Sequence, residues 1–154
     1  MTTPTPPGGS SESGEAPSEE TLRRARAHWE QAGEDLRQAR RALGKGDPVQ
    51  GGFMSLQAAQ NALRVPCLLH GHVMPPLHSP AALAALLGAE IPELAALGAP
   101  CGALEEAQGL NPFAAQRDTG EEREQAARAL EQAEAVLGLI KTYLKNRKRR
   151  YFAP

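Results

Sequence analysis

Residues 53–64 read Phe53-Met54-Ser55-Leu56-Gln57-Ala58-Ala59-Gln60-Asn61-Ala62-Leu63-Arg64, and the order of polar and apolar side chains in this run decides the fold. Phe53, Leu56, Ala59 and Leu63, with Cys67 beyond them, recur at steps of three and four, which lines them up on one face of an α-helix. Gln57, Gln60, Asn61 and Arg64 follow the same steps and form a polar face beside that stripe. The spacing predicts a helix over 49–70. Pro66 lies inside it, and a proline ring displaces the carbonyl four residues back, here Ala62, while removing a backbone donor. A bend or an early end is therefore expected between 63 and 66.

Outward from this run the same pattern appears twice more. Ser18 stands before Glu19 and Glu20, an N-cap followed by acids at the positive end of a helix dipole. Leu22, Ala25, Trp29, Ala32, Leu36, Ala39 and Leu43 then continue at helical spacing until Gly44, Gly46 and Pro48, predicting a helix over 18–43. Near the other end, Glu121, Glu122 and Glu124 open a helix over 121–149. It carries Ala126, Leu130, Ala133, Leu137, Ile140 and Leu144, with Val136 and Tyr143 widening the stripe. Between these, 73–77 reads as an extended loop with two prolines, Ser79 caps a short helix over 80–87, 92–97 and 102–108 are weaker turns, and 111–120 is another loop.

Three long stripes can be hidden only against one another, so the fold class is all-α: an antiparallel up-and-down bundle of three long helices plus short connecting helices. With 41% hydrophobic residues and only 4% aromatic, the core is built from Leu and Ala. A chain of 154 residues supports one such core, spanning 18–150. Residues 1–17 are Pro, Gly, Ser, Thr and Glu with almost nothing to bury, a tail too polar to repay its ordering entropy; 151–154 form a second, short tail.

The net charge of −1 excludes a generally basic nucleic-acid binder. Two cysteines, Cys67 and Cys101, make no disulfide framework and are expected as reduced thiols. No basic start leads into an apolar core, and no stretch reaches the ~18 apolar residues of a membrane span. A cytoplasmic protein with no membrane contact is the expectation. Gly51-Gly52 lacks the rest of a phosphate-loop fingerprint, and no cofactor motif is present.

The run at 53–64 resembles the HEPN family's pattern of an aromatic followed by Gln-Ala-Ala-Glu-Lys-Ala-Leu-Lys. Trp29, Ala32, Asp35-Leu36 and Ala39 are similar to the aromatic and Ala-Asp-Leu positions of that family's first helix, and Pro75-Pro76-Leu77-His78-Ser79 looks like its Pro-Pro-x-Thr-His opening of the third. Two positions depart: Gln60-Asn61 replaces Glu-Lys, and Leu77 replaces Thr. The resemblance implies a compact helical bundle, a homodimer, a nucleotidyltransferase-type partner protein, and nucleotide or RNA as ligand. Some members are metal-independent ribonucleases of toxin–antitoxin type. Those carry an Arg, four to six residues and a His on a late helix, whereas the last helix here offers Arg147, Arg149 and Arg150 without a His.

Arg64 and His70 fit the Arg-x5-His spacing, and a histidine beside a cation is suited to general acid–base work on a ribose hydroxyl. On a straight helix, however, they lie about 120° and roughly 9 Å apart, so catalysis by this pair requires the Pro66 bend. Cys67, His70, His72 and His78 are chemically a zinc set, but their spacing matches no common module; Cys67 equally belongs to the apolar stripe. The face of Gln57, Gln60, Asn61 and Arg64, with His78 as its expected neighbour, is suited to binding a base, a phosphate or a protein backbone, or to bridging helices. Lys145, Arg147, Lys148, Arg149 and Arg150, together with Lys141, form a cationic helix end suited either to RNA or to the negative end of the helix dipole. The widened stripe at Val136 and Tyr143 suggests apolar surface for a homodimer. A non-catalytic binding or adaptor protein is the expected function, with an Arg/His ribonuclease as the alternative.

Overall fold

The computed structural model describes residues 17–71, 79–107 and 119–151, the side chains at 107, 119 and 148–151 aside. Among the described residues five α-helices and one 3₁₀ segment follow in order: α1 (Glu19–Gly44), α2 (Pro48–Leu69), α3 (Pro80–Glu90), the 3₁₀ turn (Pro92–Leu97), α4 (Gly98–Ala107) and α5 (Thr119–Tyr151). Among the described residues there is no strand. Of the tail predicted over 1–17, residues 1–16 lie outside the described residues, as do the loop at 73–77 and residues 111–118 of the loop predicted over 111–120, whose last two residues instead open α5.

The local chemistry explains each boundary. Ser18 caps α1 by accepting from the Thr21 backbone N–H at 3.1 Å. α1 ends in a Schellman motif: Gly46 takes a φ of 78°, its N–H bonds Leu43 at 3.1 Å, and Asp47 N–H bonds Ala42 at 2.9 Å, which satisfies carbonyls that a helix end leaves open. Asp47 then caps α2 through the Gln50 N–H at 3.2 Å, so one three-residue turn both closes α1 and opens α2. Of the bend or early end expected at Pro66, the early end does not occur. α2 runs on to Leu69, the His70 N–H closing on Pro66 O at 3.0 Å; the only helical bond the proline itself forgoes is that of its own nitrogen.

The long helices pack up and down. Leu43 of α1 lies over Gly51 of α2, and His28 reaches Asn61, so α1 and α2 are antiparallel. The exposed pair Arg40–Glu134, 2.8 Å, and the pair His70–Tyr143 set α5 alongside α2 in the same sense. The short helices supply the returning leg: Glu93 lies beside Asn146 and Arg147 near the end of α5, whereas Ala103 and Glu106 of α4 lie beside Gln125 and Arg128 near its start. Glu105 also accepts from the Ala81 N–H at 3.2 Å, capping α3 from α4.

The core is Leu- and Ala-rich as expected: Ala25, Ala32, Leu36, Leu63, Leu87, Leu104, Ala133 and Ile140 are all buried. α2 is central and buried around most of its circumference, including Met54, Ala58, Ala62 and Val65. Phe53, placed on its stripe by spacing alone, is instead 50% exposed, because a helix covered on several sides has no single stripe to read and this edge falls outward. Val136 and Tyr143 are 0% and 1% exposed, so the widened stripe of α5 is consumed within the chain and offers no dimer surface. The exposed large apolar side chains among the described residues are Val49, Phe53 and Leu86. No described helix is long and apolar enough to cross a membrane.

Candidate functional site

Inside this Leu/Ala core sits a polar junction between α1 and α2. Asp35 is 4% and Asn61 7% exposed. The Asp35 carboxylate accepts from Gln31 Nε2 at 2.7 Å on one oxygen and from Asn61 Nδ2 at 2.9 Å on the other. A carboxylate only accepts, so the Asn61 amide nitrogen must face Asp35 and its oxygen must face away. That oxygen receives His28 Nδ1 at 3.0 Å and Arg64 Nη1 at 3.3 Å. Because Oδ1 can only accept, His28 carries its proton on Nδ1, which leaves Nε2 directed elsewhere.

All five residues sit at helical spacing. His28, Gln31 and Asp35 are three and four apart on α1, and Asn61 and Arg64 are three apart on α2, so two polar stripes face each other. The α2 stripe was legible in the sequence. His28 was missed, although its step to Gln31 and Asp35 was a signal that could have found it; its partner lies 33 residues away. Gln57 and Gln60 are half-buried on the same side of α2 and have no hydrogen-bond partner among the described residues. The anticipated neighbour, His78, lies outside the described residues.

The other sequence candidates are separated. Arg64 engages Asn61, while His70 engages the hydroxyl of Tyr143 on α5, with ring centroids 6.0 Å apart; α2 gives the two different partners on different helices. Cys67 lies in the apolar core, and no three potential ligands cluster for a metal among the described residues; His72 and His78 lie outside them. Both cysteines are free, and burial pushes each thiol up to about 12, with Glu90 near Cys67 and Glu105 near Cys101 adding repulsion.

At the cationic end, Lys141 and Lys145 are exposed, but Arg147 is held. Its guanidinium lies 4.3 Å from the centroid of the Tyr143 ring and pairs with Glu93, which also accepts from Asn146 at 3.3 Å. The side chains of Lys148, Arg149 and Arg150 are outside the described ones. A shallow groove of about 420 Å³ at the α1–α2 turn is lined by Gln38, Arg41, Lys45, Asp47 and Gln50, but Asp47 is already spent as a cap and the cations there are exposed.

Comparison with known proteins agrees with the bundle and with the motif on α2. The HEPN domain pattern matches residues 25–143. The chain belongs to the HEPN domain family. The matched span runs from the buried Ala25 of α1 to Tyr143 of α5, so it takes in the polar junction, all the short helices and the His70–Tyr143 contact of this HEPN domain. No curated protein and no solved structure matches the chain.

Proposed function

We propose that this HEPN domain protein is a non-catalytic binding or adaptor module, acting as a homodimer on a nucleotide, an RNA or a nucleotidyltransferase-type partner through the polar face of α2. The observation that carries this reading is the state of that face. Gln57, Gln60 and Arg64 are half-buried, and Arg64 makes one bond, to a neutral amide. Half-buried donors without full partners are costly, and such groups gather where a ligand completes them. Arg64 bonds Asn61 within α2 whereas His70 bonds Tyr143 of α5, which supports binding over Arg/His catalysis. Val49 and Phe53, four residues apart and 45% and 50% exposed, supply the apolar surface for a second copy.

Replacing Arg64 and His78 together by Ala tests the proposal. Nucleotide, RNA or partner binding falls while the circular dichroism spectrum and the dimer persist. Binding that survives, with only stability reduced, makes this face structural.

A further inference from the structure

We infer that Phe53 of one copy seats in the groove at the α1–α2 turn of a second copy, with the reciprocal contact closing the pair; this rests on the homodimer of the proposed function and names its interface. Of the three exposed large apolar side chains among the described residues, two, Val49 and Phe53, stand together on the first turns of α2. They are four residues apart and so share one face of that helix. Gln50 lies between them in sequence and also lines the groove of about 420 Å³, with Gln38, Arg41, Ala42, Lys45 and Asp47. One surface therefore carries a projecting aromatic ring and, beside it, a hollow.

A ring next to a hollow on one chain is a pattern that a two-fold axis can use. In an isologous contact, residue i of one copy meets residue j of the other, and j meets i. With the two α2 helices antiparallel and the axis level with Gly51, Phe53 lies over Val49 and Gln50 of the second copy, at the edge of its groove, and receives the same contact in return. Apposing Val49 and Phe53 alone covers little of the about 800 Å² per partner that a stable interface buries. Insertion into the groove brings the last turn of α1 and the α1–α2 turn into the contact as well.

The chemistry of the groove suits an aromatic occupant. Arg41 and Lys45 are both exposed, and neither is in a salt bridge among the described residues. A cation over the face of an aromatic ring is attracted to it, and seating the ring removes its apolar body from water. A carboxylate at position 53 meets the same cations in open water, where an exposed ion pair contributes little. The ring, not a charge, is what the groove holds.

The test uses the full chain. In an equal mixture of isotopically labelled and unlabelled protein, isotope-filtered nuclear Overhauser spectra show contacts from the Phe53 ring of one copy to the Arg41 and Lys45 methylenes of the other. Gln50→Trp is the deciding variant, checked for folding by circular dichroism. Its side chain fills the groove from within its own copy and leaves the protein monomeric, although it adds apolar surface beside Phe53. Arg41→Ser combined with Lys45→Ser weakens the dimer by roughly ten-fold. A dimeric wild type whose Gln50→Trp variant associates as tightly or more tightly, or whose Phe53 ring touches another surface of the second copy, overturns the groove and leaves the homodimer standing. A wild type that is monomeric at tens of micromolar overturns both.

Discussion

Asn61 donates an amide hydrogen to Asp35 across 2.9 Å, and that bond alone aims the opposite atom, Oδ1, at His28 and Arg64. A buried carboxylate satisfied by two neutral amides is stable only while both donors remain. Asn61→Leu leaves one Asp35 oxygen unanswered and is expected to cost about 1–3 kcal/mol. Asp35→Leu in the same chain removes the group that was stranded. Urea unfolding of the two single variants and the double is expected to show the double losing clearly less than the sum of the singles; additive losses would mean that the two side chains are not coupled.

Leu63 is 0% exposed at the centre of α2, where neighbouring helices cannot fully collapse into a void. Leu63→Ala is expected to cost about 2–5 kcal/mol, and Leu36→Ala a similar amount. A melting temperature near that of the wild type for both would reject the packing.

The thiols of Cys67 and Cys101 give a signed pH dependence. In the unfolded chain each titrates near 9.0, and in the folded chain at about 12. Between those values the unfolded state has released protons that the folded state still holds, so stability is intact below pH 9 and is lost as pH rises, by about 1.4 kcal/mol per pH unit for each thiol. Urea midpoints followed upward from pH 8 are expected to fall, and to fall less steeply in Cys67→Ala. Alkylation of either thiol in the native protein at pH 8 at the rate of a free thiol would contradict their burial.

Arg147 and Lys145 sit two residues apart on α5 but in different roles. Arg147 packs on Tyr143 and pairs with Glu93, so Arg147→Ala is expected to lower stability by about 1 kcal/mol. Lys145, exposed, is expected to leave the melting temperature unchanged when replaced by Ala. If this end also contacts RNA, both variants weaken a salt-dependent interaction to a similar degree; equal effects on stability would mean that Arg147 is not held.

Phe53 is expected to matter to assembly rather than to the core. At 50% exposure, Phe53→Glu leaves helix content unchanged and shifts light scattering from dimer to monomer at tens of micromolar. A monomeric wild type at that concentration removes the homodimer.

Much of the fold could be read from the sequence because its signals are local. The Ser18 and Ser79 caps and the glycines after α1 act within a few residues, and the predicted long helices lie within two residues of 19–44, 48–69 and 119–151. What was misread depended on neighbours from elsewhere in the chain. Phe53 turned outward because α2 is central, and α2 passed through Pro66 inside a helix buried on both sides of it. The site divided in the same way. Gln57, Gln60, Asn61 and Arg64 were visible as one helix face, whereas His28 acquires its meaning only when α1 lies antiparallel to α2.

The most direct measurement is a map of backbone amide shifts in the uniformly labelled chain as a nucleotide and a short single-stranded RNA are added in turn. The largest changes are expected at Gln57, Gln60, Asn61 and Arg64, with His28 moving alongside them, for at least one of the two ligands. Changes confined to 141–150, or none anywhere, would contradict the placement of the binding face on α2.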